Sequence, residues 1–170
     1  TCRISRPRLA CDAGEFAFEG TTDMSERDDK SNASGGCHCG AVTYAIHGPL
    51  RRVIECHCES CRRVSGGLWH GTAVRLADID IDDDAGALSW YRSSENAQRG
   101  FCNKCGSSLF FRRDGADRMA VAGGSLNRPT DLELVARIFT GETADYGDWR
   151  SDVATFEEWA PADFFEVPEV

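Results

Sequence analysis

Seven of the chain's nine cysteines fall in three tight groups. Cys37 and Cys39 lie in "GGCHCGAVTY", Cys56, Cys58 and Cys61 in "IECHCESCRR", and Cys102 and Cys105 in "FCNKCGSSLFF". Thiols so close in sequence are awkward disulfide partners, because a disulfide needs well-separated Cα atoms and convergent Cβ vectors. They are natural chelating pairs for zinc, which takes four thiolate or imidazole ligands in a tetrahedron with Zn–S about 2.3 Å. The chemistry open to them is metal binding, and thiol chemistry wherever a metal keeps an open position.

Seven ligands are one short of two complete four-sulfur sites. One site can close, and the other takes a non-cysteine ligand or stays open. Cys56, Cys58 and Cys61 lie within six residues, so one loop and the turn after it can wrap around a single ion. Cys102-Asn-Lys-Cys105-Gly reads as a zinc knuckle, whose glycine lets the backbone turn so that amides face the sulfurs. A knuckle supplies two ligands, and Cys37 and Cys39 with their flanking glycines supply two more. The economical partition is four plus three, while spacing alone also permits Cys102 and Cys105 to join two of the middle three. In an extended Cys-x-Cys the cysteines share a face and the residue between them points away, so His38 and His57 are poor ligand candidates. His70 in "GGLWHGT" reads as a partly buried, hydrogen-bonded histidine, and Cys2 and Cys11 as incidental thiols.

The elements that must position these groups are short and mostly extended. "AVTYAI", "RRVIE", "GTAVRL", "ALSWYR", "SSLFFR", "RMAVAG" and "LVARIF" each read as a strand. A helical turn is expected after Cys58 and another over "TFEEW", Thr155–Trp159. The aspartates of "LADIDIDDDAG" alternate with Ile79 and Ile81, as on the solvated face of a strand and its turn. They lack the spacing and the distant Glu of a calcium loop. This predicts a mainly β domain over 35–170, preceded by a polar leader over 1–34 in which Met24 could serve as an alternative start.

At 170 residues the chain has room for one domain, and a net charge of −9 argues against nonspecific binding to nucleic acid or anionic membrane. No stretch approaches the apolar length of a spanning helix. Clustered thiols and the lack of an export-type apolar run predict a reducing, cytoplasmic setting.

"GGCHCGAVTY", "ECHCESCRRVSGG" and "YRSSENAQRGFCNKCGSSLFFR" together resemble the glutathione-dependent formaldehyde-activating enzyme family, also called the centromere protein V family, from about Gly35 to Trp149. The resemblance implies an Mss4-like fold of small coiled antiparallel sheets organised around two zinc ions. It implies a structural zinc on Cys37, Cys39, Cys102 and Cys105, and a catalytic zinc with an open position on Cys56, Cys58 and Cys61. Two departures bear on the substrate: Arg137 stands where short family members often carry His, and the following loop reads "ETADYGDW".

The implied activity is carbon–sulfur lyase chemistry on a thiol adduct such as S-hydroxymethylglutathione, formed from glutathione and formaldehyde. A substrate with carboxylates favours a basic rim. Arg51, Arg52, Arg62 and Arg63 bracket the middle cluster, and Arg62, directly after Cys61, is the expected substrate-binding residue. Two other functions are compatible with the clusters. A non-catalytic partner-binding module would close the middle site with a fourth protein ligand, and a thiol-redox role would cycle the middle cysteines.

Overall fold

The computed structural model describes residues 33–146 and 154–168. The expected leader, with Cys2, Cys11 and Met24, lies outside the described residues apart from its last two positions. In chain order the elements are β1 (Ala33–Gly36), β2 (Thr43–Ile46), β3 (Val53–Cys56), α1 (Glu59–Ser65), β4 (Trp69–Arg75), β5 (Ile79–Asp82), β6 (Leu88–Ser94), β7 (Ala97–Cys102), β8 (Ser108–Arg113), β9 (Arg118–Ala122), β10 (Leu134–Ile138) and β11 (Ala154–Thr155). A short 3-10 turn, Ala162–Phe165, follows.

The fold is mainly β and consistent with the Mss4-like architecture. β1, β2 and β5 form a small antiparallel sheet in that order. The other eight strands form a second sheet, ordered β11-β10-β3-β4-β9-β8-β7-β6. All seven expected strands are present, and the isoleucine–aspartate alternation is β5, with Ile79 and Ile81 packed against the core. Two points differ from expectation. β10 runs parallel to β3 and β11, and "TFEEW" is no helix: Ala154–Thr155 pairs as β11 instead. Phe156, in that segment, buries its ring against Phe164, a contact that outweighs the weak helical preference of two glutamates.

The large sheet separates two hydrophobic clusters, and strand alternation decides which residue enters which. Phe110, Met119 and Val121 pack on one face with Val42, Tyr44 and Ile46 of the small sheet. Their neighbours Phe111, Ala120 and Ala122 face the other way, among Ile54, Trp69, Ile138 and the C-terminal phenylalanines. Phe110 is fully buried, which stabilises the fold by roughly 1.5–3 kcal/mol. The first face carries one cysteine cluster and the second carries the other.

A four-sulfur cluster and a three-sulfur cluster beneath a cavity

Cys37 and Cys39 stand in the turn between β1 and β2, while Cys102 ends β7 and Cys105 stands in the turn that leads to β8. Each turn reverses on a glycine at positive φ, Gly40 at 74° and Gly106 at 77°, a conformation that costs glycine nothing. The knuckle closes through Gly106 N–H donating to Cys102 O at 2.8 Å, and the opposite turn through Gly40 N–H donating to Cys37 O at 3.1 Å. The two turns bring all four Sγ atoms within 4.8 Å of one another. The four-plus-three partition is therefore the one the fold assembles, and the alternative pairing of the knuckle with the middle cysteines is not.

The second cluster is local. Cys56 ends β3, Cys58 caps the N-terminus of α1, and Cys61 lies in its first turn. The Cys58 sulfur accepts the Cys61 N–H at 3.3 Å, as an N-cap side chain does. The three Sγ atoms lie within 4.8 Å of one another, and among the described residues no further His, Cys, Asp or Glu joins either cluster. Three thiols this close share charge. Hydrogen bonds from Cys56 and Cys61 hold Cys58 down to about 2, and the same contacts push Cys56 far up.

Both clusters fit zinc on donor chemistry and spacing. Bonds of about 2.3 Å in a tetrahedron set neighbouring sulfurs about 3.8 Å apart. The observed separations are 3.6 Å for Cys37–Cys39, 3.8 Å for Cys39–Cys102 and 3.5 Å for Cys56–Cys58. All seven cysteines among the described residues are free thiols.

The histidines stand apart from the sulfurs. His38 is exposed. His57 is buried and turned away from its flanking cysteines, its Nε2 paired with Glu55 Oε1 at 2.7 Å and its Nδ1 with Thr143 Oγ1 at 3.3 Å. His70 is half-exposed and pairs with Glu55 Oε2 at 2.8 Å. Arg137 Nε donates to Glu55 Oε1 at 2.7 Å. The strand register explains this convergence, because Arg137, Glu55 and His70 lie directly opposite one another on β10, β3 and β4. Burial raises the Glu55 carboxyl, and its bonds from His57 and Arg137 together with the charge of His70 overcome that and lower it. The network braces the β3 end from which the middle cluster starts.

A cavity of about 590 Å³ opens over the middle cluster, lined by Cys56, Cys58 and Cys61 and by none of the other four cysteines. Of the four arginines expected at a rim, Arg51 alone lines it. It is buried, donates to Gly71 O at 2.8 Å, and is lowered by burial to about 10. Arg52 and Arg63 are exposed, and Arg63 pairs with Glu59 at 2.7 Å. Arg62, half-buried on α1, is not among the lining residues.

The residue that meets the sulfurs is Arg99, which the spacing of the cysteines did not indicate. It is 5% exposed, donates through Nη2 to Cys61 Sγ at 3.3 Å, and lies over the Phe111 ring at 5.1 Å. Arg99 and Cys102 both lie on β7, three residues apart and so on opposite faces: one end serves each cluster. The signal was available only as an arginine inside a strand with Phe111 directly across from it. Phe139 completes the wall with φ at +57°, held by its N–H donating to Glu158 O at 3.0 Å. A bulky residue in that region costs roughly 1–2 kcal/mol.

A family model described as "Glutathione-dependent formaldehyde-activating enzyme" matches residues 32–142. A Halomonas elongata protein named "Putative glutathione-dependent formaldehyde-activating enzyme" is 33% identical over 85 residues, covering 45% of this chain and 53% of that one. A Schizosaccharomyces pombe "Uncharacterized lyase" is 33% identical over 84 residues, covering 45% and 55%. The chain spans about half the length of the curated relatives it matches. A crystal structure of a Rhodobacter sphaeroides protein is 27% identical, with a TM-score of 0.49 over 56% of this chain and 88% of that one.

Proposed function

Because the chain belongs to the glutathione-dependent formaldehyde-activating enzyme family, we propose that it is a zinc-dependent carbon–sulfur lyase acting on a thiol adduct such as S-hydroxymethylglutathione. The carrying observation is the placement of the incomplete cluster. Three sulfurs form the floor of a cavity large enough for an organic substrate, and the complete four-sulfur set lies away from it. A partner-binding module with a closed middle site would need a fourth protein ligand, and none joins the three among the described residues.

Zinc held by Cys56, Cys58 and Cys61 would favour the thiolate of a substrate sulfur, where a free thiol of pKa about 8.5 is only about 3% ionised at neutral pH. In the direction of synthesis the sulfur pair forms the C–S bond, the carbonyl π pair moves to oxygen, and that oxygen takes up the proton equivalent the thiol releases. Cleavage reverses each step: the hydroxyl loses its proton, the C–S pair returns to sulfur and formaldehyde leaves. The chain's own residues set the conditions. Arg99 Nη2 donates to the Cys61 sulfur and offsets thiolate charge. Trp69, Phe111 and Phe139 exclude water from the floor and hold the reactants together. The Cys58 cap fixes α1 and with it Cys61.

The test is exchange between formaldehyde, glutathione and their adduct, followed by NMR with zinc-loaded protein at catalytic concentration. Acceleration over the uncatalysed rate, lost in Cys58→Ser, is the expected result. Equal rates with and without the loaded protein, for this adduct and for the S-hydroxymethyl adduct of a second carboxylate-bearing thiol, would overturn the reading.

A further inference from the structure

The far wall of the cavity is built by Trp159 and Phe165, which lie beyond the 32–142 span matched by the family model. This strap is fastened by three of the four arginines that line the cavity. Arg51 donates to Phe164 O at 3.3 Å and Arg118 to Phe165 O at 3.2 Å. Arg113 lies over the Trp159 ring at 5.0 Å. Trp159 in turn packs edge-on against Phe139 and Phe165 at 4.8 and 5.7 Å. Together with Trp69 and Phe111, these rings surround a space within the usual range of small-molecule sites, about 300–1,000 Å³.

The polar content of the cavity is correspondingly narrow. Asp117 lines it but accepts from Arg118 at 3.2 Å. Arg99 is the exception among the arginines. Its Nη2 is placed by Cys61 Sγ and Ser60 Oγ, and its Nε and Nη1 are buried with no hydrogen-bond partner among the described residues. A buried guanidinium with unmet donors favours an anionic acceptor more strongly than any neutral one. Because the same group touches the Cys61 sulfur, the anion it takes must sit only a few bonds from a substrate sulfur held at that cluster. Glutathione presents the opposite pattern, with two carboxylates and an ammonium at the ends of a polar peptide.

Resting on the reading of the middle cluster as a thiol-adduct site, we propose that the cavity selects adducts of thiols with an apolar, ring-sized body and a single carboxylate close to the sulfur. Arg99 takes the carboxylate, and Trp159 and Phe165 cover the body. Charged peptide thiols are then bound more weakly than such adducts, since ammonium and carboxylate groups would be stripped of water against aromatic faces.

Calorimetric titration of the zinc-loaded protein with thiol-free probes tests this without turnover. The probes are 3-phenylpropanoate, propanoate, 3-phenylpropan-1-ol and S-methylglutathione. The first is expected to bind about tenfold or more tighter than each of the others, reflecting one charge-assisted contact and one packed ring. Trp159→Ala should shrink the gap between 3-phenylpropanoate and propanoate. Arg99→Leu, with zinc content verified, should shrink the gap between 3-phenylpropanoate and the alcohol. Equal binding of the four probes, tighter binding of S-methylglutathione, or no binding of 3-phenylpropanoate overturns the proposal. Turnover of the S-hydroxymethyl adducts of 2-mercapto-3-phenylpropanoate and of glutathione separates this from the lyase reading. Faster turnover of the glutathione adduct removes the substrate class and leaves the lyase. Turnover of neither, with the probe order as stated, removes the lyase and supports the ligand class.

Discussion

Glu55 is a carboxylate 6% exposed, in contact with His57, His70 and Arg137 and adjacent to the first cysteine of the middle cluster. A buried charge in that position is stable only while its partners remain, and removing one side of such a set costs roughly 3–5 kcal/mol. Glu55→Leu is expected to lower the unfolding free energy by about that amount in urea titrations, because it removes the buried acceptor that Arg137, His57 and His70 share. Glu55→Gln, which still accepts hydrogen bonds, should cost less. An unchanged urea midpoint in Glu55→Leu would show that the network does not brace the cluster. The sequence carried half of this arrangement. The alternation of an extended Cys-x-Cys placed His57 away from the sulfurs, and the structure agrees. It could not supply the acceptor, because the Arg137–Glu55–His70 line depends on a parallel register between strands about 80 residues apart.

The elements that hold the four-sulfur cluster are two tight turns, and their geometry rests on backbone conformation more than on packing. A Cβ at Gly106 would meet nothing within 4 Å, so the cost of a side chain there is set by φ at +77° alone. Gly106→Ala is expected to destabilise the protein by roughly 1–2 kcal/mol and to weaken zinc retention against a chelator, with the cavity unaffected. A thermal melt and a competitive chelation titration check both, and wild-type retention would show that the knuckle tolerates a relaxed turn. Turns and strands of this kind were legible, since glycine after a cysteine pair and period-two alternation are local signals. β7 was not, because "AQRGFC" mixes Gln, Arg and Gly and draws its strand character from the neighbours on either side. The segment over Thr155–Trp159 misled for a related reason. Its aromatic residues serve the second core and the cavity wall, roles assigned by tertiary contacts that a local propensity does not register.

For the whole molecule, the two Cys-His-Cys copies occupy different structural positions, and this predicts different consequences for equivalent changes. Cys39 is exposed and touches no core, yet its sulfur belongs to the set joining the β1–β2 turn to the β7–β8 turn, 63 residues apart at Cys39 and Cys102. Structural zinc binding is worth on the order of 10 kcal/mol, against a net stability of roughly 5–15 kcal/mol for a domain. Cys39→Ser should therefore abolish cooperative unfolding through metal loss alone, since serine at an exposed position disturbs no packing. Cys58→Ser removes a ligand confined to the β3–α1 junction, where serine is itself a preferred N-cap and can accept the Cys61 N–H as the sulfur does. The helix and both cores should survive, with zinc content lowered by one ion per chain and thiol-adduct exchange lost. Circular dichroism melts paired with metal analysis read out this asymmetry. If both variants unfold alike, the middle cluster is a second structural site and the lyase reading loses its open position. If Cys58→Ser keeps full exchange activity, the three sulfurs are not the reactive centre.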